Sequence, residues 1–223
     1  MVLVVKELFP RIFLIDNKLA VENPIRGFKP FDEEVLIFNK KEFRIWNPER
    51  SKAAAAILKG IKEFPIKESY KILYLGSAHG YTCSFLSSVI GERGTIYAVE
   101  FSERCFNEFL PLCEKYKNIV PILADARKPE DYSWVEKTDL IYIDIAQPDE
   151  IEIFIRNCKE FLKKEGFGMI AVKSRSIDVT KSPTEIYKEA LKKLKDSNFE
   201  IIDWKTLDPY ERAHAFILVK SKH

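Results

Sequence analysis

From Lys71 onward the chain alternates short apolar runs with helical stretches, and this alternation constrains the fold more than any other feature. Lys71-Ile-Leu-Tyr-Leu reads as a strand and Tyr81 to Ile90 as a helix. Thr95-Ile-Tyr-Ala-Val is a strand, followed by a helix from its cap Ser102 to Lys115. Asn118-Ile-Val-Pro-Ile-Leu is a third strand, with a loop to Trp134. Asp139-Leu-Ile-Tyr-Ile is a fourth, with a helix from Pro148 to Lys164. Gly166-Phe-Gly-Met-Ile-Ala-Val is a fifth, with a helix from Ser182 to Asp196 and Pro183 at its start. Strands separated by helices of about 10 to 15 residues imply a parallel sheet covered on both faces. Phe199-Glu-Ile-Ile-Asp-Trp and His214-Ala-Phe-Ile-Leu-Val have only a turn around Asp208-Pro209-Tyr210 between them, so they are expected to pair antiparallel.

The first 46 residues follow a different pattern. Val2-Leu-Val-Val, Arg11-Ile-Phe-Leu-Ile, Lys18-Leu-Ala-Val, Glu34-Val-Leu-Ile-Phe and Glu42-Phe-Arg-Ile-Trp are β-branched or aromatic runs, with turns at Asp16-Asn17-Lys18 and Asn39-Lys40-Lys41. They predict a small antiparallel domain over residues 1–46. A second domain over 47–223 is expected to open with a helix capped by Asn47, with Pro48 at its first position, reaching about Phe64.

Composition excludes several classes. With 46% hydrophobic and 31% charged residues the chain is neither disordered nor fibrous. No apolar run approaches the ~20 residues of a membrane span. The start lacks the basic lead and cleavage site of a signal peptide, so a cytoplasmic location is expected. Cys83, Cys105, Cys113 and Cys158 form no CxxC pair and are read as buried small hydrophobes; no metal site is expected. The net charge is +2, from 36 basic and 34 acidic residues. Phosphate neutralisation dominates nucleic-acid affinity, so an RNA substrate would need a partner to help hold it.

Ligands of doubly wound sheets sit at the carboxyl ends of the strands. The first strand ends in Gly76-Ser77-Ala78-His79-Gly80, small residues that let a ligand approach, followed by Tyr81 and Thr82 at a helix start with free N–H groups. A plain tight turn would look the same. The second ends in Glu100-Phe101, roughly 20 residues on, where a carboxylate can accept both ribose hydroxyls of an adenosine or simply cap a helix. The third ends in Asp125-Ala126, placed for an adenine amino group or for a bond to its own backbone. The fourth ends in Asp144-Ile145-Ala146-Gln147. Together these ends favour adenosine. The first loop has no GxGxxG, so NAD is the lesser reading and S-adenosylmethionine the favoured one. The expected fold is α/β, a class I methyltransferase sheet of Rossmann-like type behind the small β domain.

Several longer segments resemble fibrillarin, the methyltransferase of box C/D guide RNA particles. They are Trp46-Asn-Pro-Glu-Arg-Ser-Lys52, Tyr74-Leu-Gly-Ser-Ala-His-Gly-Tyr-Thr82, Val99-Glu-Phe-Ser102, Asn118-Ile-Val-Pro-Ile-Leu-Ala-Asp-Ala126, Asp144-Ile-Ala-Gln-Pro148, Gly168-Met-Ile-Ala-Val-Lys-Ser-Arg-Ser-Ile-Asp-Val-Thr180 and Pro209-Tyr-Glu-Arg-Ala-His-Ala215. The strand-rich head fits the archaeal members. The chain departs from the family at His79-Gly-Tyr-Thr82, where Ser-Gly-Thr-Thr is usual, and at Ile143, where an acidic residue is common; Tyr81 is left a backbone contact to the cofactor.

The resemblance implies an RNA ribose 2′-O-methyltransferase whose Lys-Asp-Lys-His group maps to Lys52, Asp144, Lys173 and His214. A ribose hydroxyl is a weak nucleophile, so it must be aligned with the methyl carbon and relieved of one proton. Lys173 is expected to be the base or orienting cation, with Lys52 and Asp144 acting on its proton in opposite senses, and His214 to place the ribose or relay the proton. Arg50, Arg175 and Lys181 are expected to flank the mouth. The implied partners are a guide RNA and target RNA, a coiled-coil Nop-family scaffold and a kink-turn-binding ribosomal-type protein. Three other readings stay open: a different methyl acceptor on the same fold, a cofactor-binding assembly subunit without catalysis, and an NAD-dependent oxidoreductase.

Overall fold

A computed structural model describes residues 4–222. The head is one antiparallel sheet in the order β1-β2-β3-β5-β4, built from β1 (Val5–Phe9), β2 (Ile12–Ile15), β3 (Lys18–Glu22), β4 (Val35–Phe38) and β5 (Lys41–Ile45). Residues 2 and 3 of the first expected strand lie outside the described residues. Asp16 and Asn17 (φ 46 and 64) and Asn39 and Lys40 (φ 49 and 64) make two-residue turns with both φ positive. Such turns match the right-handed twist of a hairpin.

The second sheet follows the expected alternation: β6 (Lys71–Leu75), α2 (Tyr81–Ile90), β7 (Thr95–Glu100), α3 (Glu103–Lys115), β8 (Ile119–Leu123), β9 (Thr138–Ile143), α4 (Glu150–Phe161), β10 (Leu162–Lys173), α5 (Ser174–Ile177), α6 (Pro183–Asp196), β11 (Phe199–Thr206) and β12 (His214–Ser221). The strands order β11-β12-β10-β9-β6-β7-β8. All neighbours are parallel except β12, which runs antiparallel to both β10 and β11.

Three boundaries differ from expectation. The helix predicted from Pro48 is α1 (Lys52–Leu58), capped by Ser51, whose hydroxyl accepts the Ala54 N–H. Asn47 instead spends its Oδ1 on the Glu49 N–H in a turn ahead of the helix, and Gly60 (φ 74) lies just past the helix end. The helix expected to reach Lys164 stops at Phe161, where Thr138 Oγ1 takes the Phe161 carbonyl and Lys137 the Glu160 carbonyl; Leu162 then pairs with Thr138. The loop before Trp134 holds a 3-10 turn over Pro129–Tyr132.

One apolar cluster joins the two sheets. Ile12, Leu19, Val21 and Trp46 of the head pack with Ala53 to Ala56 of α1, Phe85 of α2, and Tyr74 and Tyr142 of the large sheet. Trp46 stacks on Phe85 with 5.2 Å between centroids. The fully buried Arg44 pairs with Glu33, donates to Tyr116 Oη (2.7 Å) and Ser84 Oγ (3.0 Å), and lies 4.2 Å over the Phe85 ring. A second cluster with α4 and α6 covers the opposite face. The cysteines are free; three are buried, but Cys105 is half-buried on α3, a correction to the expectation for all four. No described helix is long and apolar enough to cross a membrane.

Candidate active site

The chain leaves β6 toward β7 and β8, then returns on the other side to β9, so a crevice opens where the loops after β6 and β9 diverge. The Asp144 N–H donates to the Leu75 carbonyl (3.0 Å) and the Gly76 N–H to the Val99 carbonyl (2.9 Å), which holds the loops side by side. Gly76 has φ 85, and a Cβ there would lie 2.6 Å from the Asp144 carbonyl oxygen and 2.6 Å from Ile145 Cγ2. Only glycine permits this approach.

The crevice brings together Gly76, Ala78, Glu100, Phe101, Asp125, Ala126, Asp144, Ile145, Ala146 and Gln147, all named from the strand ends. Glu100 is 9% exposed. Its Oε2 accepts the Ala78 N–H (2.7 Å) and its Oε1 the Ser102 N–H (2.8 Å). An ionised carboxylate has about four acceptor positions, so this one is held rigid with capacity to spare. Asp125 Oδ1 accepts the Arg127 N–H (2.9 Å), the turn contact weighed as its plain alternative. Phe101 stands exposed at the rim.

Four other expected residues shape the loop behind this wall. A Cβ at Gly80 would clash with the Phe109 ring and lie 2.5 Å from Leu112. The Tyr81 hydroxyl accepts the Asn47 N–H (3.1 Å), and its ring meets Phe31 and Phe85, toward the head. Thr82 donates to Ser51 Oγ (3.0 Å). Ser77 Oγ is buried with no hydrogen-bond partner in the protein. The wall is completed by Val99, Ala124, Arg127 and Ile153, which sequence reasoning did not single out. Arg127 ties the loops after β8 and β9 through Gln147 and Asp149.

Beside the crevice two amines straddle one carboxylate. Lys173 Nζ, from the end of β10, lies 2.8 Å from Asp144 Oδ1; Lys52 Nζ, from the first turn of α1, lies 3.4 Å from Asp144 Oδ2. These side chains are 15 to 18% exposed. Burial pushes the Asp144 carboxyl up, but the adjacent charges of Lys173 and Lys52 outweigh it and hold the group below its ordinary range. His214, opposite Lys173 in the β10–β12 ladder, has Nδ1 2.7 Å from the Arg212 carbonyl.

Two carboxyl groups here were not singled out from the sequence. Glu211 reaches Lys52 at 3.7 Å; it sits inside the family-like segment 209–215, which was its one signal. Glu150, 1% exposed at the start of α4, accepts the Lys173 backbone N–H at 3.2 Å, and burial pushes it up to about 9. Of the cations expected at the mouth, Arg175 is exposed beside Lys173. Arg50 instead lies over the Tyr81 and Phe31 rings, and Lys181 is paired with Glu189. His79 is exposed, 3.1 Å from Glu108. Among the described residues no group of three or more His, Cys, Asp or Glu is placed to hold a metal ion.

A family model described as Fibrillarin matches residues 4–223. The fibrillarin-like rRNA/tRNA 2′-O-methyltransferase of Thermococcus gammatolerans is 48% identical over 221 residues, 96% of this chain and 97% of that protein. Among solved structures, Aeropyrum pernix fibrillarin with natively bound S-adenosyl-L-methionine superposes with a TM-score of 0.90 at 42% identity, over 98% of both chains. The fibrillarin in a fibrillarin/Nop5p complex gives 0.89 at 41% identity, over 98% of this chain and 100% of that one.

Proposed function

The chain belongs to the fibrillarin family, and from that premise we propose that it transfers methyl from S-adenosylmethionine to ribose 2′-hydroxyls of rRNA and tRNA, at positions chosen by a box C/D guide RNA. The observation that carries the reading is the pair of amines on one half-buried carboxylate, Lys173 and Lys52 on Asp144, at the edge of the crevice.

The residues present fit an adenosyl cofactor. Glu100 keeps acceptor capacity for ribose hydroxyls, Asp125 and Phe101 offer an acceptor and an aromatic face for a base, and the buried Ser77 hydroxyl has no partner in the protein. When bound, the cofactor supplies a methyl group already activated by its sulfonium. The protein must then bring a ribose oxygen into line and remove one proton. Asp144 holds the Lys173 amine in one direction; Lys173 orients the hydroxyl as a cation or, in the neutral form left when it has given a proton to solvent, accepts the hydroxyl proton. Lys52, shared between Asp144 and Glu211, keeps the carboxylate ionised. His214 stands on the strand beside Lys173 to position the ribose or relay the proton.

The charge of +2 suits a catalytic subunit that does not grip RNA by itself. A Nop-family coiled-coil scaffold, a kink-turn-binding protein and the guide RNA hold the substrate, and the particle works in the cytoplasm. Labelled methyl transfer with guide RNA and these partners, followed by mapping of the modified nucleotide, tests the reading. A single 2′-O-methylated ribose at the guided position is expected. Label on a base or a protein side chain, or equal site-specific transfer by the chain alone, would overturn it.

A further inference from the structure

Glu150 has no part in the chemistry above, yet it is buried beside it. It opens α4, only a few residues beyond the end of β9. The parallel pairing of β9 with β10 ends at Ile143 and Ile170, so the last turn of β10 has β12 on one side and no strand on the other. The Lys173 N–H points into that gap, and Glu150 Oε1 accepts it at 3.2 Å. Just beyond, the Ser174 N–H and hydroxyl both donate to the Ala213 carbonyl, at 3.3 Å and 2.8 Å, and the strand turns into α5.

We propose that Glu150 is a positioning residue for the amine of Lys173: its side chain replaces the missing strand partner and fixes the end of β10 where Lys173 meets Asp144. This rests on the methyl-transfer reading of the same site. The charged groups facing Glu150 are Lys173 from β10, Asp144 from the loop after β9, and Lys52 from α1. Its Oε2 is buried without a hydrogen-bond partner in the protein. A carboxylate with a bare buried oxygen is costly, so the side chain acts as a neutral acid, in keeping with a value of about 9. Asp144 therefore stays the carboxylate that both amines share, with Glu211 reaching Lys52, and Lys173 is placed by a group that does not compete for its charge.

Three variants test this. Glu150→Gln keeps a neutral acceptor at the same reach, Glu150→Asp withdraws it by one methylene, and Glu150→Ala removes it. In the reconstituted transfer assay Glu150→Gln should stay within roughly twofold of wild type, while Ala and Asp lose about tenfold or more in kcat at unchanged cofactor affinity, since a 1 Å misplacement costs up to about 100-fold. Hydrogen exchange at the Lys173 amide supplies a readout that needs no activity: fast in Glu150→Ala, slow in wild type and Glu150→Gln. If the Ala protein does not fold, Glu150→Gln and Glu150→Asp decide. Glu150→Gln as slow as Glu150→Asp, or equal protection of the Lys173 amide in all the folded variants, overturns the proposal. An inactive wild-type particle would count against the methyl-transfer reading instead, with amide exchange still judging Glu150.

Discussion

Lys173 and His214 face each other as the last antiparallel pair between β10 and β12, so both side chains leave the sheet on the same face. A carbonyl only accepts, so His214 Nδ1, 2.7 Å from the Arg212 oxygen, carries a proton. In the neutral ring Nε2 is then a lone-pair acceptor. His214→Ala is expected to lower single-turnover methyl transfer by about 100-fold or less, the lower end of general acid–base effects, with cofactor affinity unchanged. Unaltered turnover would remove His214 from the reaction. Nitrogen NMR of the ring should report the Nδ1-protonated tautomer.

Gly76 predicts a cofactor effect. At φ 85, with the Asp144 carbonyl 2.6 Å from any Cβ, Gly76→Ala must either strain the turn or push the β6 and β9 loops apart. Such strain costs about 1–3 kcal/mol. Calorimetric titration with S-adenosylmethionine should show affinity reduced by about tenfold or more, since tenfold is about 1.4 kcal/mol.

The Arg44–Glu33 pair predicts a stability effect. Both groups are buried, and Arg44 ties the head sheet to Ser84 of α2 and to Tyr116 at the end of α3. Arg44→Leu leaves Glu33 buried without its cation, which costs about 3–5 kcal/mol. Urea unfolding should show that loss in one transition for both sheets, because they share a core. A change below about 1 kcal/mol would contradict it.

Glu150 and Asp144 predict opposite pH slopes. Glu150 is raised in the fold to about 9, from an ordinary value of 4.5. Between those values the unfolded chain has released a proton that the native state keeps, so stability falls as pH rises. Glu150→Gln removes that slope, and its melting temperature should gain on wild type between about pH 5 and pH 8. Asp144 is depressed below 3.8, so its contribution is present above that value and lost as pH falls through the folded one. Asp144→Asn should flatten the acid limb of thermal unfolding.

Much of this site was legible in the sequence because a parallel sheet converts strand order into a ligand position. Gly76, Glu100, Asp125 and Asp144 each fall at a strand end in the sequence pattern, and they line one crevice. What was not legible depends on contacts across the fold. Asn47-Pro48 imitates a helix start, and only the Ser51 bond to Ala54 shows where α1 begins. Tyr81 opens α2 beside the crevice, but its side chain is claimed by Phe31, Phe85 and Asn47. Glu150 reads in sequence as an acid suited to a helix N-terminus; its contact with Lys173 exists because β9 ends short of the last turn of β10.

In the proposed reaction Lys173 and Asp144 handle the sugar hydroxyl beside the bound donor. Guide-directed transfer by Lys173→Ala and Asp144→Ala proteins that still bind S-adenosylmethionine tests it most directly. Each should methylate its target at least about 100-fold more slowly than wild type. Near-normal methylation by both proteins would contradict the account.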